Sequence, residues 1–146
     1  MIIYYHNKKL VNKRGTNKMS KQYIKINENG SKCYFKDKAM TKRHREDGPA
    51  LESANGDKYW YLDGKLHRVD DAAVEWANGY KAWYINGKRH RVDGPAIVRT
   101  NGDKAWYLEG KKYTQAEFKA KMHPTKELTV ADIERMLGHR VKIVKQ

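Results

Sequence analysis

The chain has 146 residues, 31 Lys/Arg against 17 Asp/Glu, a net charge of +14 and one cysteine, Cys33. That length bounds one compact domain with a small appendage; the lone cysteine excludes a disulfide framework and fits a cytosolic setting; and no apolar run reaches membrane-spanning length, while Met1–Tyr5 is too short for the apolar segment of a signal peptide. A positive field of this size attracts nucleic acid, anionic membrane or an acidic protein without choosing among them.

The excess sits at the front. Residues 1–50 hold 13 Lys/Arg against 4 Asp/Glu, whereas residues 51–113 hold 11 against 9. Residues 1–22 read as a basic N-terminal segment. Tyr4–Tyr5–His6–Asn7–Lys8–Lys9 looks like a fragment of an aromatic strand and its turn, and the Lys/Arg/Asn-rich stretch on to Lys21 is expected to be mobile or ordered by a partner. Lys8, Lys9, Lys13, Arg14, Lys18 and Lys21 are candidate phosphate contacts, with Lys36, Lys38, Lys42, Arg43 and Arg45 extending the patch. Tyr4, Tyr5, Tyr23 and Tyr34 are candidate stacking residues for a single-stranded target.

Residues 23–113 carry a repeat with a period of 23 residues. Asn55–Gly56 runs to Trp60–Tyr61 and Gly64, Asn78–Gly79 to Trp83–Tyr84 and Gly87, and Asn101–Gly102 to Trp106–Tyr107 and Gly110. Between these blocks stand His67–Arg68–Val69–Asp70 and His90–Arg91–Val92–Asp93–Gly94–Pro95. An earlier copy, from Asn29–Gly30 to His44–Arg45–Glu46–Asp47–Gly48–Pro49, has Tyr34 in place of tryptophan and three extra residues near Ala39–Met40–Thr41. Asn-Gly between short strand-like segments is a strong hairpin signal, because both residues tolerate positive φ. Each unit therefore reads as a hairpin plus a connecting loop, and the expected fold is mainly β: a single-layer, solenoid-like stack of antiparallel β-hairpins.

Alternation sorts two faces. Trp60, Trp83 and Trp106, with Leu62, Ile85 and Leu108, are expected to form a core ladder; Tyr59, Tyr61, Tyr84 and Tyr107, with Ala82 and Ala105, form the opposite face, the better candidate for an exposed strip. The His/Asp pairs His44/Asp47, His67/Asp70 and His90/Asp93 resemble acid–base pairs, but triplicate copies without an activated nucleophile suit turn bracing, with aspartate bonding following backbone N–H groups. The histidines are expected to pack on the next unit while bonding a carbonyl, and no ligand cluster points to zinc or another cofactor. Arg45, Arg68 and Arg91 repeat in register and read either as an outward positive row or, given the near-neutral repeats, as internal bracing against the aspartates.

Residues 114–146 read as a small α+β cap. Thr114–Gln115–Ala116–Glu117 is a capping box for a helix ending before Pro124, with Phe118 as its docking residue. A second helix starts near Thr129 or Val130, carries Ile133, Met136 and Leu137 on one face and stops at Gly138; Val141–Val144 reads as a terminal strand. The cap is expected to cover the open end of the stack.

The phrase N-G-x-K-x-W-Y-x-x-G-K-x-H-R-x-D-G-P-A resembles the MORN-variant, antitoxin-like repeats of bacterial and phage proteins. The likeness covers residues 23–113 and departs at Asp71–Ala72, where Gly–Pro would stand. It implies hairpins stacked as MORN-like repeats and a role as an adaptor or interaction surface. The tail from Glu127 to Val144 is similar to short C-terminal modules of phage-encoded proteins, implying a viral accessory protein acting in the host cytoplasm. The expected function is non-enzymatic binding of nucleic acid, RNA or DNA, through the basic front half; the alternative is a protein-binding module that inhibits or modulates a host or defence protein through an acidic patch, with oligomerisation open.

Overall fold

A computed structural model describes residues 2–11, 17–124, 129–140 and 142, with side chains from residue 22 onward. The chain is mainly antiparallel β with two short helices. The strands are β1 (Ile2–Val11), β2 (Asn17–Ile26), β3 (Lys32–Phe35), β4 (Leu51–Glu52), β5 (Lys58–Tyr59), β6 (Tyr61–Leu62), β7 (Lys65–Leu66), β8 (Val74–Glu75), β9 (Lys81–Ala82), β10 (Tyr84–Ile85), β11 (Lys88–Arg89), β12 (Ile97–Val98), β13 (Lys104–Leu108) and β14 (Lys111–Tyr113). The helices are α1 (Gln115–Met122) and α2 (Val130–Leu137). One open sheet of 10 strands runs in the order β1-β2-β3-β4-β5-β8-β9-β12-β13-β14, and β6–β7 and β10–β11 are separate two-stranded hairpins.

The front of the chain is strand-forming. β1 pairs with β2 over all ten of its positions, from Ile2 opposite Ile26 to Val11 opposite Asn17. The boundary expected after residue 22 thus falls inside β2, which continues onto β3 with Tyr23 opposite Phe35. Cross-strand β-branched and aromatic pairs such as Ile2/Ile26 and Tyr5/Tyr23 suit a pleated ribbon.

Each unit uses two turns of different chemistry. At Asn55–Gly56, only glycine is left-handed (φ 91°), while the Asn55 side chain accepts the Asp57 N–H at 3.2 Å; Asn29, Asn78 and Asn101 repeat this bond to Ser31, Tyr80 and Asp103. The expected pair of positive φ values occurs instead at the hairpin tips. Asp63–Gly64, Asn86–Gly87 and Glu109–Gly110 all have both residues at φ between 50° and 84°, the type I′ geometry that matches strand twist. In the first unit the three extra residues enlarge this tip into a loop over 36–42, where Asp37 accepts N–H bonds from Thr41 and Lys42, both at 3.2 Å.

The burial of the two faces differs from the alternation reading. One cross-strand row, Cys33–Leu51–Tyr59–Val74–Ala82–Ile97–Ala105, runs unbroken from β3 to β13. Val74, Ala82, Ile97 and Ala105 are its buried centre, with Tyr59, Leu66, Tyr80, Tyr84 and Tyr107 packed around them. The face expected to be an exposed tyrosine strip is therefore the core, and alanine at 82 and 105 leaves room for the rings. The tryptophans Trp60, Trp83 and Trp106 are half-buried on the other side. There the row Lys32–Glu52–Lys58–Glu75–Lys81–Val98–Lys104 alternates charge along the same strands, so opposite charges sit directly across each strand pair up to Lys81.

Both helices begin with full capping boxes, Thr114 with Glu117 and Thr129 with Asp132, and Gly138 ends α2 in the left-handed conformation. α1 lies against β13 and β14, burying Phe118. α2 buries no residue fully and leaves Met136 75% and Leu137 54% exposed, whereas α1 covers the β13–β14 end of the sheet. The terminal strand expected over 141–144 falls, apart from residue 142, outside the described residues.

Candidate nucleic-acid interface

The repeated His-Arg-x-Asp phrase is structural bracing in this fold. Arg45, Arg68 and Arg91 lie with their guanidinium carbons 4.0 Å from the ring centroids of Tyr34, Trp60 and Trp83. Each also donates Nη1 to the carbonyl four residues on, of Pro49, Ala72 and Pro95. Arg45 reaches Glu52 at 2.7 Å and Arg68 reaches Glu75 at 2.9 Å; the equivalent position in the third unit is Val98. Stacking on the indole and filling the fork with oxygen acceptors uses the geometry that sets arginine apart from lysine. Arg45, a candidate phosphate contact, is held inside this network.

The aspartates act on the arginines. Asp47 and Asp93 accept from Arg45 Nε and Arg91 Nε at 3.2 and 2.8 Å, and the Arg91 hydrogen bond holds the Asp93 carboxyl below the usual aspartate range. In the second unit Asp71, rather than Asp70, approaches Arg68 at 3.7 Å. The lost Gly–Pro is compensated there. A Cβ would stand 2.9 Å from the Arg45 guanidinium carbon on Gly48 and 3.3 Å from that of Arg91 on Gly94, so glycine leaves the arginine room in those units. Pro49 and Pro95 carry no N–H, but Ala72 does, and it is fully buried; Asp71 Oδ1 accepts that N–H at 2.7 Å.

The histidines tie unit to unit through nitrogen rather than through a carbonyl. Nδ1 of His44, His67 and His90 accepts the backbone N–H of Asp63, Asn86 and Glu109, each 19 residues on, at 3.1, 3.2 and 3.1 Å. The residues that receive the imidazole are the first of each type I′ pair, so a histidine from one unit pins the hairpin tip of the next. Glu109 Oε1 lies 2.8 Å from the same His90 Nδ1, so with a proton on that nitrogen the imidazole donates to the carboxylate in place of accepting the backbone N–H. Among the described residues no three His, Cys, Asp or Glu side chains group so as to hold a metal ion.

The candidate phosphate contacts disperse. Lys8 and Lys9 are on β1, and Lys18 and Lys21 on β2; Lys13 and Arg14 lie outside the described residues. Register places Lys18 opposite Leu10 and Lys21 opposite Asn7, so positions 8 and 18 belong to one side of the ribbon and 9 and 21 to the other. The stacking candidates divide likewise: Tyr4, through Ile24, aligns with Tyr34, while Tyr5 is directly opposite Tyr23. Tyr34 is covered by Arg45. Further on, Lys36 pairs with Asp63, Lys38 and Lys42 are exposed, and Arg43 lies half-buried over Tyr61 with its Nε unpartnered. The Lys36 hydrogen bond is the main reason the Asp63 carboxyl titrates below its usual range.

A second basic row is built by the repeats themselves. Lys42, Lys65, Lys88 and Lys111 are all exposed and follow one another at the 23-residue period. The stem of Lys42 rests 3.7 Å from where a Cβ would stand on Gly64, that of Lys65 at 3.7 Å on Gly87, and that of Lys88 at 3.8 Å on Gly110. These are ordinary contact distances, so glycine at each tip answers to its positive φ (80°, 82° and 84°), while the lysine stem packs on the tip and the ammonium stays in water. The signal was present as the Gly-Lys dipeptide of each unit, but it is obscured in the first, where the enlarged tip separates Lys42 from any glycine.

Among the described residues no helix is long and apolar enough to cross a membrane. No protein-family model matches the chain, and no curated protein or solved structure shows significant similarity to it.

Proposed function

We propose that the chain is a non-enzymatic binding protein that engages nucleic acid through its basic N-terminal half. Its 23-residue units are MORN-variant repeats stacked in a solenoid-like array, which serves as the scaffold, and it acts in the cytoplasm, as a phage-type accessory protein in the host. The observation that carries this reading is the charge segregation: 13 Lys/Arg against 4 Asp/Glu in residues 1–50, five of the basic residues (Lys8, Lys9, Lys18, Lys21 and Lys25) on the β1–β2 ribbon at one end of the sheet, with near neutrality in the repeats. Lys8, Lys9, Lys18, Lys21, Lys38 and Lys42 contact phosphates, which positions the ligand without specifying its sequence. The Lys65–Lys88–Lys111 row prolongs the same surface chemistry along the repeats. The His, Arg and Asp of the repeats support the scaffold and take no part in chemistry.

The experiment is retention of single-stranded RNA and DNA as salt is raised. Affinity is expected to fall linearly with log salt, by about 0.7 in slope per phosphate neutralised on a single strand. Retention that does not change with salt contradicts the reading.

A second reading rests on a separate observation. α2 presents Ile133, Met136 and Leu137 on one face, the last two largely exposed, as a helix does that lays an apolar stripe into a groove of another protein. A protein partner that remains bound in stoichiometric amount after nuclease treatment supports this reading over the first.

A further inference from the structure

The aromatic that closes each unit is capped by an arginine of its own repeat, except the last. The register position of Arg45, Arg68 and Arg91 falls, 23 residues after Arg91, on Thr114, which caps α1 instead. Among the described residues no cation lies over Trp106, while Tyr34, Trp60 and Trp83 each carry a guanidinium at 4.0 Å. Trp106 instead lines an open cleft of about 680 Å³ between the 92–95 loop and α1, facing the buried Phe118. Lys104, Lys119 and His123 also line it. Its one carboxylate, Asp93, is held by Arg91 Nε at 2.8 Å.

We propose that this cleft takes an unstacked base of a single-stranded nucleic acid, with the base on Trp106 and its phosphates against Lys104 and Lys119. The proposal rests on the nucleic-acid reading above and adds a site at the opposite end of the sheet from the basic ribbon. A planar cation, the partner of the other three rings, is repelled here by the surrounding lysines, and the only acid is already neutralised. A neutral planar base stacks on the ring, and the phosphates joined to it bring the negative charge to the lysines of the rim. An acidic peptide satisfies the rim alone and leaves the indole unused.

The test uses the full chain and a short bromouracil-containing single-stranded oligonucleotide, read by photo-crosslinking with peptide mapping and by fluorescence anisotropy. A crosslink is expected in the peptide containing Trp106. Trp106→Leu is expected to weaken binding about tenfold, within the range of one base–aromatic stack, and Trp106→Phe to keep most of the affinity. Because Trp106→Leu also disturbs the seat of α1, the double variant Lys104→Gln/Lys119→Gln, at two exposed positions, is measured beside it. Its salt slope is expected to fall by about 1.4, the share of two phosphates on a single strand. Three results overturn the site. If the oligonucleotide binds, crosslinks only within residues 1–50, and keeps its affinity in both variants, the cleft is rejected and the basic front stands. If wild type binds no oligonucleotide at low salt, both fall. If polyglutamate displaces the crosslink as well as unlabelled oligonucleotide does, the cleft belongs to an acidic protein.

Discussion

Asp71→Ala removes the acceptor of the Ala72 N–H and one partner of Arg68. The N–H is buried, since Ala72 is 0% exposed, and the bond it loses is 2.7 Å long. A buried donor left unpaired costs about 1–3 kcal/mol. The contact to Arg68 adds little: it is 3.7 Å long, the Asp71 side chain is 41% exposed, and Arg68 keeps Glu75. Screened pairs of that kind contribute at most about 1 kcal/mol. The N–H therefore dominates, and this gives a discriminating cycle. Ala72→Pro restores the residue found at Pro49 and Pro95 and deletes the donor, so it is expected to be near neutral alone. The double variant Asp71→Ala/Ala72→Pro is expected to recover most of what Asp71→Ala loses, with a coupling of about 1–3 kcal/mol. Urea unfolding reads this as a shift of the midpoint at constant slope. The reasoning is refuted if Asp71→Ala unfolds within about 0.5 kcal/mol of wild type, the usual spread of neutral surface changes, or if the double variant is no more stable than the single one.

Further expectations follow from the other braces. Arg68→Ala uncovers Trp60 and leaves Glu75 without its 2.9 Å donor; a loss of about 2–4 kcal/mol and a red-shifted tryptophan emission are expected, and Arg68→Lys is not expected to restore the fork to Ala72 and Glu75. His90→Ala removes the acceptor of the Glu109 N–H, so amide exchange at Glu109 is expected to accelerate while that at Asp63, held by His44, is unchanged. Acid is expected to loosen α1. The Thr114 backbone N–H, then its hydroxyl, holds the Glu117 carboxyl below the usual glutamate range. A lowered folded value means that the cap's contribution is complete above the unfolded glutamate value and is lost as pH falls through the folded one. Carboxyl NMR titration with helical amide shifts checks both the direction and the window, and Glu117→Gln is expected to abolish the step.

The period, the turns and the helix starts were legible because each depends on local chemistry. Thr114 and Thr129 bond their own first turns, and Asn55, Asn78 and Asn101 bond backbone two residues on; neither needs a distant partner. The faces were not legible. Alternation separates Trp60 from Tyr61 but does not say which side is covered by what, and here both sides are covered. Hairpins and small residues cover the tyrosine side, while the arginines of the same repeat cover the indoles. A stacked guanidinium and an outward arginine row look identical in sequence, because the choice depends on where the fold brings the ring of Tyr34, Trp60 or Trp83 and the carbonyl of Pro49, Ala72 or Pro95. The Asp71–Ala72 departure showed where the repeat changes but not how the turn is made: the side chain that replaces glycine also satisfies the N–H that replaces proline. At the front, Tyr4–Lys9 read as a strand fragment and the Lys/Arg/Asn-rich stretch to Lys21 as mobile or ordered by a partner, whereas the register of β1 on β2 places the described lysines on both sides of a ribbon and divides the expected patch.

In the proposed function, charge on this ribbon, and not a repeat histidine or arginine, drives binding. The most direct measurement is the salt dependence of single-stranded oligonucleotide affinity for wild type and for Lys8→Gln/Lys9→Gln/Lys18→Gln/Lys21→Gln. The account predicts binding at low salt that weakens steeply as salt rises, and a slope shallower by about 2.8 in the quadruple variant if all four lysines meet phosphates. An unchanged slope in that variant, or a wild-type affinity indifferent to salt, contradicts it.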